Sequence, residues 1–138
     1  MSDAPSPSRR APLGWGLLLV GLACAAPIFL GAPFLGVRLG PIPVGNLLAW
    51  GMIAAPPAAL VAFPGGAASD RRWARLSLMA AGCWFPVSAL LSGNLALVFP
   101  GGHRFGLWLA WTGLVLLTGY ILLSVRCFQW LRKRMLGA

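Results

Sequence analysis

Apolar positions along this chain gather into blocks of about twenty residues, the length a helix needs to cross the hydrocarbon core of a bilayer. Four such blocks run over residues 13–31, 44–63, 74–97 and 105–125. The segments between them are rich in Pro, Gly or charge: "GAPFLGVRLGPIP", "PGGAASDRRW" and "FPGGHR". This pattern predicts an all-α integral membrane protein with four transmembrane helices. Residues 1–12 are polar and rich in Pro and Ser, and are expected to form a disordered N-terminus. Residues 126–138 form a basic C-terminal tail whose aromatic and aliphatic residues suggest a helical extension.

The first block follows "SRR" and ends in "GLACAA", which has the outline of a cleaved signal. Two residues argue against that reading. Gly21 stands three positions before Cys24, where a lipobox wants an aliphatic side chain, and Pro12 interrupts the apolar start expected after a twin Arg. The block is therefore read as a retained span.

Composition supports the bilayer as the relevant solvent. The chain is 59% hydrophobic and 9% charged, against about a quarter charged in soluble domains. A net charge of +9 raises the question of nucleic acid, but the basic residues stand at the ends of apolar blocks and not along one domain face. No nucleic-acid partner is expected.

Charge instead sets direction. Arg9, Arg10, Arg71, Arg72, Arg75, Arg126, Arg132, Lys133 and Arg134 fall on one side of the four spans, and only Arg38 and Arg104 on the other. The positive-inside bias then places both termini in the cytoplasm. Trp15, Trp73 and Trp130 fall at the cytoplasmic interface, and Trp50, Trp108 and Trp111 near the outer one, where indoles anchor helices. The near-exclusive use of Arg as the cation hints at a GC-rich bacterial genome, hence a bacterial inner membrane.

The blocks also pair. Cys24-x-x-Pro27 in the first block is matched by Cys83-x-x-Pro86 in the third, 59 residues on. Gly45-x-x-Leu48-Ala49-Trp50 in the second is matched by Gly106-x-x-Leu109-Ala110-Trp111 in the fourth, 61 residues on. Nearly constant offsets in two separate segments suggest an internal repeat, a two-helix hairpin duplicated in tandem. Such copies share one orientation and would be related by an axis along the membrane normal.

Candidate chemistry is sparse. Pro27, Pro56, Pro57 and Pro86 fall near mid-span, where each removes a helix hydrogen bond and frees a carbonyl. Interrupted helices of this kind line midplane sites in transporters, but Pro is also simply common in membrane helices. Cys24 and Cys83 would lie at similar depth, and two thiolates suit a soft metal such as Cu(I). No third ligand accompanies them, so they read as small packing residues beside the kinks. His103, the only histidine, lies in a loop without an acidic partner and reads as a solvated turn residue.

Beyond Arg75 at the edge of the third block, the spans hold no charged residue, and relays or cation sites in membranes usually depend on such residues. Asn46, Asn94, Thr112, Thr118, Tyr120 and some Ser are the polar groups, and Asn46 and Asn94, toward the outer end, are expected to bond neighbouring helices or backbone. Span 2 has rows of small residues, Ala54/Ala58/Ala62 and Gly51/Ala55/Ala59, that favour close helix approach. Arg126, Arg132, Lys133 and Arg134 are placed to meet lipid headgroups or a partner's acidic loop.

The expectation from these features is no enzyme and no cofactor beyond bound lipid. The chain is expected to be a small accessory, stabilising or assembly subunit of a larger membrane protein complex, with lipids and other membrane subunits or a homo-oligomer as partners. The competing expectation is a small transporter or pore, holin-like included, with a midplane site at the Pro-kinked helices.

Overall fold

A computed structural model describes residues 7–63 and 67–137 of the chain. Helix α1 spans Pro7–Phe29, α2 Val44–Ala62, α3 Ala68–Ser92 and α4 Gly102–Met135. All four are long and apolar enough to cross a membrane, which makes this an all-α, multi-pass architecture.

The helix ends depart from the sequence expectation in places. Helix α1 starts at Pro7, so residues 7–12 are helical where disorder was expected. Pro7 is the first described residue; residues 1–6 lie outside the described region. Helix α3 stops at Ser92, five residues before the expected end of the third span. Gly93 takes the left-handed conformation there (φ 74°) and its N–H caps Ala89 O at 2.8 Å. Asn94 then closes a compact loop. Its Oδ1 accepts from Val98 N at 2.9 Å, and its Nδ2 donates to Ser92 O at 3.1 Å. Helix α4 runs on through the basic tail for 34 residues, a length of about 51 Å against about 30 Å of hydrocarbon.

Between α1 and α2 the chain makes a 3₁₀ turn at Pro33–Gly36 and a minimal antiparallel hairpin, β1 Arg38–Leu39 with β2 Ile42–Pro43. Arg38 faces Pro43 and Leu39 faces Ile42 across it. The two-residue loop is Gly40-Pro41. Gly40 has φ 64°, which a residue with a Cβ adopts only under strain, and Pro41 holds the next φ negative.

Helix α2 is the hub, packed against α1, α3 and α4, and α3 also packs on α4. The α1–α2 seam is built from missing side chains. A Cβ on Gly21 would sit 2.5 Å from the Ala55 Cβ, one on Gly51 2.8 Å from Cys24 Sγ, and one on Gly14 2.8 Å from the Phe63 ring. These pairs run antiparallel, so the two backbones are in close contact over the length of the seam. On the other side of α2 lies the core proper: Ile53, Ala81, Trp84, Phe85 and Val115. The two hairpins therefore pack by different means, glycine against small residues in one and aromatic rings in the other.

Substituting Gly21 by Leu is expected to destabilise the fold by about 1–3 kcal/mol through overpacking against Ala55. Gly16→Leu, whose Cβ meets nothing within 4 Å, is expected to be nearly neutral. Unfolding of the detergent-solubilised variants by denaturant titration reads the difference.

Candidate functional site

The helix ends sort into two regions of different chemistry. At one end, near the β hairpin and the 93–101 loop, aromatic side chains meet between α2, α3 and α4. Trp50 donates its indole N–H to Ala81 O at 2.8 Å and stacks on Phe85 with ring centroids 5.5 Å apart. Trp84, 2% exposed, donates to Thr112 Oγ1 at 2.9 Å. Trp108 donates to Ser88 Oγ at 3.0 Å and lies 6.5 Å from Trp84. Phe99 and Phe105 extend the cluster at 5.2 and 5.7 Å from Trp108. Each indole N–H crosses to a different helix, so the three bonds stitch α2 to α3 and α3 to α4. Asn46 adds a fourth link, donating to Ala96 O in the loop at 3.1 Å.

Trp50, Trp108 and Trp111 are thus half-buried in helix contacts. Trp15, Trp73 and Trp130, by contrast, are more than half exposed at the opposite end. Trp111 Nε1 is buried without a hydrogen-bond partner, as is Ser77 Oγ. Trp84, the most enclosed of the indoles, received no separate role from the sequence. The signal that would have found it is Thr112, a hydroxyl partner on the facing helix α4.

The mid-span residues are not gathered around one cavity. Pro56 and Pro57 are buried, and Pro57 packs where Gly119 leaves room, its Cδ 3.3 Å from the position a Cβ there would take. Pro27 is half-buried on α1, and Pro86 is exposed on the outer side of α3. Cys24 is half-buried and lies against Gly51, whereas Cys83 and Cys127 are exposed, and all three thiols are free. Among the described residues no three His, Cys, Asp or Glu side chains converge on a common point. His103 is exposed. Thr118 and Ser124 donate to carbonyls of their own helix, Leu114 O at 2.6 Å and Tyr120 O at 2.8 Å, which satisfies their hydroxyls without a ligand.

The opposite end is basic. Arg126 on α4 lies 3.8 Å from Asp70 in the first turn of α3. Asp70 is the one acidic residue among the described residues. Arg134 sits over the Trp130 ring at 4.5 Å, a cation–π contact that holds both side chains on the α4 extension. Arg132 and Lys133 are exposed beside them. A cleft of about 40 Å³ opens between α2, α3 and α4, lined by Leu60, Asp70, Arg71, Ala74, Arg126 and Gln129 among others.

Comparison with protein-family models, with curated proteins and with solved structures returns no match for this chain.

Trp84→Phe and Thr112→Val each remove one partner of the same buried bond. A double-mutant cycle on detergent-solubilised protein is expected to give a coupling of about 0.6 kcal/mol and at most about 1.7 kcal/mol, the range for hydrogen bonds between membrane helices.

Proposed function

We propose that this chain is a non-catalytic accessory, stabilising or assembly subunit of a larger complex in a bacterial inner membrane. The supporting observation is where its side chains are spent. The space between α2, α3 and α4 at the aromatic end is filled by Ile53, Trp84, Phe85 and Val115. Long apolar side chains on α1 and α4, among them Leu19, Leu22, Leu114, Leu117 and Ile121, face outward. A chain that packs its interior and leaves two helices with broad apolar faces is suited to lie against lipid and a partner's helices. A small transporter or pore has less support, because Pro86 points away from the bundle and Pro57 is packed into Gly119.

In this reading both termini are cytoplasmic, with the basic end of the bundle at the anionic inner leaflet. The paired C-x-x-P and G-x-x-L-A-W stretches descend from a duplicated hairpin whose halves have diverged in packing. The first half kept small residues at its seam, and the second acquired the indole network.

Affinity purification of the full chain in mild detergent is expected to bring down one or more membrane proteins in fixed ratio. A single pure species with no stoichiometric companion would contradict the subunit role. For orientation, green fluorescent protein fused after Ala138 is expected to fluoresce, and alkaline phosphatase at the same point to be inactive.

A further inference from the structure

The cleft at the basic end has a polar rim and an apolar floor. On α4, Leu122, Val125, Arg126 and Gln129 fall at spacing i, i+3, i+4 and i+7, which puts them on one helix face. Leu122 and Val125 lie toward the middle of α4, and Arg126 and Gln129 toward its basic end. Asp70 and Arg71 at the start of α3 complete the rim, and Leu60 and Ala74 complete the floor. The volume of about 40 Å³ holds a few oxygen atoms, not a whole small molecule. An occupant must therefore lay its polar group across the charged rim, with only a few of its atoms in the cleft, and extend an apolar part along the helices. That is the shape of a phospholipid.

The rim also has a particular charge order. Two guanidinium groups flank one carboxylate, on an end of the molecule where every other described charge is positive. If the cleft answered only to negative charge, Asp70 would work against it. An ethanolamine headgroup matches both signs, with a phosphodiester for Arg71 and Arg126 and an ammonium with three N–H donors for Asp70. We propose that this cleft is a binding site for the headgroup of an ethanolamine phospholipid. The phosphodiester is held by Arg71 and Arg126, with Gln129 as a further donor, and the ammonium is held by Asp70. Asp70 and Arg126 lie 3.8 Å apart, and the incoming headgroup sets its two charges beside that pair. This site requires the multi-pass reading but not the subunit role, so it is tested on the purified chain alone.

The test is native mass spectrometry of the delipidated, detergent-solubilised chain with ethanolamine, choline and glycerol phospholipids of matched acyl chains. Choline keeps the phosphodiester and the positive charge but has no N–H donor. The wild type is expected to retain the ethanolamine lipid over the choline lipid by about tenfold, equivalent to about 1.4 kcal/mol. Asp70→Asn is expected to abolish that preference while leaving choline-lipid binding in place. Arg71→Gln, on an exposed side chain that the fold does not need, is expected to weaken both, and Arg126→Gln likewise. Inorganic phosphate at millimolar concentration is expected not to displace the lipid. Equal retention of ethanolamine and choline lipids, a preference unchanged in Asp70→Asn, or stronger glycerol-lipid binding indifferent to both Arg variants would overturn the proposal. Displacement by phosphate alone would overturn it too, by pointing to a free anion site.

Discussion

Lipid gives membrane helices no hydrophobic reason to associate with one another, so this bundle depends on close approach and on hydrogen bonds between helices. Helix α2 is where both devices meet. Toward α1 it offers Gly51 and Ala55, opposite Cys24 and Gly21, so that the two backbones lie against each other. Toward α3 it offers Trp50, whose indole reaches Ala81 O. If α2 moved by a fraction of a turn, the glycine seam and the Trp50 bond would be lost together. The buried prolines fit the same constraint, because Pro57 takes the space that Gly119 on α4 leaves empty.

The two ends of the bundle then divide the work. The aromatic end is closed by rings whose N–H groups are mostly spent on neighbouring helices, and it offers little that would recognise a ligand. The basic end keeps its charged groups at the surface, with Trp15, Trp73 and Trp130 exposed among them. Charged side chains are therefore concentrated there, where α3 begins and α4 ends in its basic turn.

The four helices were legible because length and apolarity suffice to mark a span, and no tertiary detail is needed for that. The end of α3 was harder to read. Leu95, Leu97 and Val98 continue the apolar pattern past Ser92, and the stop depends on Gly93 turning left-handed and Asn94 folding its side chain back on the loop. The tryptophans show the same limit. A Trp near a span end reads as an interface anchor; Trp15, Trp73 and Trp130 are exposed, but Trp50 and Trp108 point their N–H groups into the bundle. Which way an indole faces depends on what stands opposite, here Ala81 and Ser88 on another helix. The Arg126–Asp70 contact and the cleft beside it are likewise invisible along the chain, since they join positions 56 residues apart.

The central claim is that α2 holds α1 through glycine-close contact, while α3 is joined to α2 and α4 through indole bonds and ring contacts, so that the two hairpins differ in their seams. Cys24 makes this directly measurable. A Cβ at position 51 would lie 3.6 Å from the Cys24 Cβ, within the range of about 3.5–4.5 Å that a disulfide requires. In a chain with Cys83→Ser and Cys127→Ser, Gly51→Cys is predicted to form a disulfide with Cys24 nearly quantitatively in native membranes under mild oxidation. The position matching Gly51 in the second hairpin is Thr112, and there the exposed Cys83 is predicted not to cross-link to Thr112→Cys. Absence of the Cys24 cross-link, or equal cross-linking of both pairs, would contradict the account.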